Sequence, residues 1–217
     1  MTLGNVFILG DSYSTFEGYI PEGNDIWYRP VYSEECKDMT DVCKVEQTWW
    51  KQVLDQTNST LVLNNSYSGT TICNTGYEGA DCTEISFIGR LDKLDAQGYF
   101  SKNKIDTFII FGGTNDSWAN SPVGELKYAD WTKEDLFQVL PAFCYLLKRV
   151  RECVPDARVL CMINTELKEE ITENFRIACD KHGVEVIAPD HISKQNGHPN
   201  IRGMREIADA VKNHLGF

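Results

Sequence analysis

Asn5-Val6-Phe7-Ile8-Leu9-Gly10-Asp11-Ser12 decides the fold of this chain: an apolar run stops at a glycine and is followed at once by an acid and a hydroxyl. A short run with no polar alternation reads as a strand buried on both faces, as in a parallel sheet. Four similar runs follow at residues 60–63, 105–111, 158–163 and 184–187, each rich in Val, Ile, Leu or Phe and bounded by polar residues. Between and after them, residues 47–55, 84–96, 133–152, 167–182 and 201–214 place apolar side chains at helical spacing, and Thr132 stands where the third of these helices would take an N-cap. Such alternation builds parallel βαβ units and a three-layer α/β/α sandwich. Ligands bind such a sandwich beyond the carboxyl ends of the strands.

The 217 residues, 42% hydrophobic and 24% charged, suit a single soluble domain spanning 1–217. A net charge of −11, from 32 acidic against 21 basic residues, repels phosphate backbones and anionic lipid, so nucleic acid and membrane surfaces are not expected partners. No apolar run approaches the roughly 20 residues needed to cross a bilayer. The start MTLGNVFILG lacks the regions of a signal peptide, which leads to the expectation of a cytoplasmic protein, or a secreted one if a leader preceded residue 1. Residues 13–46, rich in aromatics and acids, and 67–83, rich in Gly, Thr and Cys, read as long loops following the first two strands. Of the eight cysteines, Cys36 with Cys43 and Cys73 with Cys82 have loop spacings that a disulfide would fit. No CxxC or Cys/His cluster has zinc spacing, so no metal or cofactor is expected.

Ser12 lies where the chain turns onto the active edge of the sheet, a place for a nucleophile, although Asp11-Ser12 alone would more often be a turn. The second strand runs into Asn64-Asn65-Ser66-Tyr67-Ser68-Gly69 and the third into Gly112-Gly113-Thr114-Asn115-Asp116. Both offer glycine backbone and Asn side chains at strand ends, where N–H donors can face a developing oxyanion. Gly197-His198-Pro199-Asn200 puts an imidazole in a loop before the last helix, where it can serve as a base.

These four blocks, Gly10-Asp11-Ser12, Gly69, Gly113-Thr114-Asn115-Asp116 and His198-Pro199, resemble in order and placement those of the SGNH (GDSL-like) hydrolase family. The resemblance implies a flavodoxin-like sandwich with strand order 2-1-3-4-5 and a serine esterase or deacylase. Ser12 would be the nucleophile and His198 the base, with an oxyanion hole made by the Ser12 and Gly69 N–H groups and the Asn115 side chain.

The chain departs from the family where an Asp normally stands three residues before the histidine: that position is Gln195. Gln195, a main-chain carbonyl or a relocated Asp190 are the alternatives for holding the ring. The aromatics Phe16, Tyr19, Trp27, Tyr28 and Tyr32 in the first loop, with Tyr13, Trp118, Tyr128 and Trp131, could stack on a sugar ring or simply pack the loops. Arg90 could hold a substrate anion or pair locally. A small acyl ester on a carbohydrate is the leading expectation. A thioesterase, a lysophospholipase or a non-catalytic carbohydrate binder are the alternatives.

Overall fold

The computed structural model describes residues 2–30 and 39–216. Five strands, β1 (Asn5–Gly10), β2 (Thr60–Ser66), β3 (Thr107–Phe111), β4 (Arg158–Met162) and β5 (Glu185–Ile187), form one parallel sheet. Their order is β2-β1-β3-β4-β5, the flavodoxin-like order that the resemblance implied. The chain reverses its direction of sheet growth between β1 and β3, so the carboxyl ends of these two strands flank the switch point at which such sheets bind ligands.

Both faces of the central strands β1, β3 and β4 are buried. Phe7, Leu9, Phe108, Ile110, Val159 and Cys161 point to one core, and Val6, Ile8, Ile109, Phe111, Leu160 and Met162 point to the other. The seven α-helices in the described residues are α1 (Trp49–Thr57), α2 (Phe87–Ala96), α3 (Tyr99–Lys102), α4 (Thr114–Trp118), α5 (Val139–Cys153), α6 (Glu169–Lys181) and α7 (Ile201–Leu215). Apolar faces of α2, α5 and α6 close the first core; α1 and α7 close the second. Phe143 on α5 stacks on Phe175 of α6 with ring centroids 3.7 Å apart, and burial of each such side chain contributes about 1.5–3 kcal/mol.

Thr48, Ser86 and Asn200 cap α1, α2 and α7 through their side chains. Thr132 does not cap the α5 helix, which begins at Val139 rather than at residue 133. Pro141 is the reason: it lacks an N–H for the residue 137 carbonyl and its ring would clash there, so it is accommodated only in the first turn. Thr132 Oγ1 instead accepts the Asp135 N–H at 3.4 Å, at the start of a short 3₁₀ turn, Asp135–Phe137, whose N-cap position is Glu134.

Cys73 and Cys82 are both free thiols. Cys73 is buried against Asp116, which accepts its N–H, and its Sγ faces the Thr75 carbonyl; Cys82 Sγ lies against Gly76, so no bridge closes between them. Cys36, and with it the other candidate bridge, lies outside the described residues, as does Tyr32. Among the described residues no helix is long and apolar enough to cross a membrane.

Candidate active site

Ser12 opens a 3₁₀ turn, Ser12–Ser14, immediately past β1. Asp11 is the N-cap of that turn, its Oδ1 accepting the Tyr13 N–H at 3.0 Å, so the chain bends at once and leaves the Ser12 hydroxyl at the strand end. Ser12 Oγ lies 2.9 Å from His198 Nε2. His198 reaches that point on a hairpin in which β6 (Lys194–Gln195) pairs antiparallel with β7 (His198–Pro199).

The two linking residues, Asn196 at φ 50° and Gly197 at φ 75°, are both left-handed, as the two-residue turn matched to strand twist requires. This turn aims the Asn196 carbonyl back at the ring, where it accepts from His198 Nδ1 at 3.1 Å. The imidazole is thus the tautomer with a proton on Nδ1 and a lone pair on Nε2 facing Ser12. Of the alternatives left by the absent aspartate, the Nδ1 contact is the main-chain one. Gln195 lies across the hairpin from His198 in the ladder, and Asp190 is exposed in a separate depression with His191, Arg202 and Glu206.

An aromatic cage surrounds the imidazole. Trp27 stacks on it with centroids 3.5 Å apart and planes 9° from parallel, while Tyr13 and Trp118 meet it edge-on at 5.5 and 5.9 Å. Burial, with the Lys194 charge adding to it, lowers the His198 pKa to about 4 from 6.5, although the Asn196 carbonyl pulls the other way. The imidazole is therefore neutral over the whole near-neutral range. For the same reason His198 contributes stability that is lost as pH falls from 6.5 toward about 4, because the unfolded chain takes up a proton there that the native ring does not.

Beside Ser12, Asn115 sits in the first turn of α4, just past β3. Its Nδ2 donates to the Thr70 carbonyl at 3.0 Å and its Oδ1 accepts from the Tyr77 hydroxyl at 2.8 Å. The side chain is thereby oriented with its second Nδ2 hydrogen uncommitted. Gly69, at φ 79°, adopts a backbone that a side chain would strain, although there is open space around it. Asp116 anchors the same loop from behind by accepting the Ile72 and Cys73 N–H groups. Burial raises Asp116 to about 6 and Asp11 to about 7, and for Asp11 the neighbouring Asp116 adds to the rise. The Asp11 Oδ2 atom is buried and unpartnered, a site at which a protonated carboxyl costs less than a charged one.

Several residues considered as substrate contacts take other places. Tyr13 and Tyr28 are wholly buried and donate through their hydroxyls to the Gly197 and Pro199 carbonyls, each at 2.8 Å, so they buttress the histidine hairpin. Phe16 is buried, and Tyr19 packs on it and on Trp50. Trp131 and Tyr128 lie against Tyr145 and His182, away from the cleft. Arg90 is buried with all five N–H donors directed at protein oxygens, leaving none for a substrate anion.

Two contributors escaped sequence reading, Tyr77 and Asn164, and the main-chain carbonyl considered for the ring had no residue assigned to it. Buried beyond β4, Asn164 donates to Thr114 Oγ1 at 3.1 Å and to the Tyr13 hydroxyl at 3.4 Å. Of these, only the carbonyl had a visible signal for its place, the hairpin-forming dipeptide Asn196-Gly197.

The profile of the GDSL-like lipase/acylhydrolase family matches residues 4–215. Among solved structures, a protein described as a GDSL-like lipase from Bacteroides ovatus is 43% identical, with 99% of each chain covered and a TM-score of 0.89. Another from Bacteroides uniformis is also 43% identical, covering 98% of this chain and 95% of that one, with a TM-score of 0.89. An acetyl xylan esterase from the rumen bacterium Butyrivibrio proteoclasticus shares the fold at 16% identity and a TM-score of 0.59, over 100% of this chain and 65% of its own. No curated protein sequence matches. Since the family profile runs nearly end to end over a sheet whose switch point carries the Ser12–His198 pair, the chain belongs to the GDSL-like lipase/acylhydrolase family of hydrolases.

Proposed function

We propose that the protein is a serine esterase that removes a small acyl group, acetyl above all, from a hydroxyl of a carbohydrate or similar polar alcohol. The observation that carries this reading is the 2.9 Å contact between Ser12 Oγ and a neutral His198 Nε2 whose other nitrogen is already fixed on a carbonyl. Ser12 Oγ attacks the acyl carbon as His198 Nε2 takes its proton; the tetrahedral oxyanion is held by the Ser12 and Gly69 N–H groups and by Asn115 Nδ2. His198 returns the proton to the departing sugar oxygen. A water then attacks the acyl-serine, giving one proton to His198, which passes it to Ser12 as the carboxylic acid leaves.

Support for the substrate class comes from the rim. Trp118 and Tyr77 are 41% and 43% exposed and touch His198 and Asn115 respectively, so they flank the serine with rings suited to stacking on a sugar. The acetyl xylan esterase with the same fold is consistent with that choice. Initial rates on p-nitrophenyl acetate, longer p-nitrophenyl esters and acetylated xylan test the reading together. Acetate preference with release from xylan is expected, whereas a rate that climbs with acyl length would point to a lipase or thioesterase instead.

The pH profile follows from the cage. Because His198 must be neutral to accept a proton and its pKa lies at about 4, kcat/KM for an uncharged ester will rise through about 4 and be level by 6.5. An ascending limb centred near 6.5 would show that the ring is more open to water than the cage implies.

A further inference from the structure

We propose that Arg90, on α2, is the positioning residue of the oxyanion hole, a single guanidinium that fixes all three donors at once. This rests on reading Ser12, Gly69 and Asn115 as that hole. Arg90 Nη2 donates to the Gly10 carbonyl and to Thr70 Oγ1, both at 3.1 Å. Its Nη1 donates to the carbonyl of Asn65 and, at 2.9 Å, to Asn65 Oδ1, and its Nε donates to the Ile85 carbonyl at 2.9 Å.

Gly10 lies two residues before the Ser12 N–H. Thr70 directly follows Gly69, and its carbonyl is the acceptor that holds Asn115 Nδ2 at 3.0 Å. Donors from the end of β1, from the 67–83 loop and from α4 are thus all tied to one side chain, each within two residues or one hydrogen bond of a residue that Arg90 holds.

The chemistry of the site argues against a role in stability alone. Burying a guanidinium among five neutral acceptors is costly, and an apolar side chain would fill the inner face of α2 at less expense. What only arginine supplies is a rigid planar fork with five donors in fixed directions, which can set the relative positions of two strand ends and a loop. A lysine keeps the charge but not the fork. Since hole donors act only when aimed at the oxyanion position, their loss of register is felt in the transition state and not in the binding of the ester.

The test compares the wild type with Arg90→Lys, Arg90→Met and Thr70→Val, reading kcat and KM on p-nitrophenyl acetate and the Ki of a small alkylboronic acid. The boronic acid adds to Ser12 Oγ as a tetrahedral anion and so reports the hole directly, independent of the active fraction. We expect Arg90→Lys and Arg90→Met to lower kcat by at least about tenfold with KM within about twofold, and to weaken boronate in parallel. Thr70→Val cuts one arm while Arg90 stays in place, and will move kcat and Ki the same way by less. Arg90 lines a cleft of ≈ 550 Å³ with Asn65 and Ile85, so ethylguanidinium added to Arg90→Ala will restore part of the rate. The proposal is overturned if the variants lose folded protein while the remaining enzyme keeps the wild-type boronate Ki. A wild type with neither serine-dependent turnover nor boronate binding would instead sink the esterase reading, and the clamp with it.

Discussion

Ser12→Ala will lower p-nitrophenyl acetate hydrolysis by about 10⁴–10⁶, and His198→Ala will cost a comparable factor. In the proposed mechanism the two groups act as one unit across 2.9 Å: without Ser12 there is no nucleophile to activate, and without the imidazole the hydroxyl keeps its proton. The double variant should therefore be no slower than either single one. Ser12 offers a clean experiment because the bonds that shape its turn come from Asp11 and from its own backbone, including the Thr15 hydroxyl to the Ser12 carbonyl at 3.0 Å, and all survive removal of Oγ. The alanine variant should melt within a few degrees of the wild type, as expected for a change worth under about 1 kcal/mol. Wild-type turnover that persists in Ser12→Ala would dismiss the covalent route altogether.

Gly197→Ala is expected to reduce kcat by about 10² while leaving KM nearly unchanged. Two physical effects coincide at this glycine. Its φ of 75° costs an L-residue about 1–2 kcal/mol, and an added Cβ would stand 3.2 Å from the Trp118 ring. The hairpin around it consists of only two residue pairs, so it will yield before the indole and the sheet do. As it yields, the Asn196 carbonyl leaves Nδ1, the imidazole loses its fixed tautomer and Nε2 drifts from Ser12. Steady-state kinetics on p-nitrophenyl acetate read the kcat against KM split, and the chemical shift of the His198 ring protons reports the tautomer. A variant with full kcat would mean that the ring is held by its aromatic neighbours alone.

The sheet was legible because β1, β3 and β4 are buried on both faces and must be written as unbroken apolar runs; the strand order came only with the family resemblance. Ser12, Asn115 and His198 could be located because strand ends and the loop before the last helix are fixed by that framework. What stayed hidden depends on contacts distant in sequence. Nothing near Tyr77 says that its hydroxyl meets Asn115, 38 residues away. Tyr13 and Tyr28 have the composition of a sugar platform, yet their hydroxyls serve carbonyls more than 170 residues further on. An arginine in a helical pattern reads as a substrate-anion contact or a local partner, and the oxygens that receive Arg90 become neighbours only after β1, β2 and their loops have assembled. The Asn196 carbonyl was hidden differently, since an acceptor supplied by the backbone leaves no residue type to find.

The indole lying flat on His198 also has an optical consequence. An imidazolium in face contact quenches tryptophan emission far more than a neutral imidazole does, so Trp27 is a built-in fluorophore for the charge on the base. In the proposed mechanism that charge appears and disappears with each proton transfer. Stopped-flow emission could therefore time acylation and deacylation separately, on natural substrates that carry no chromophore.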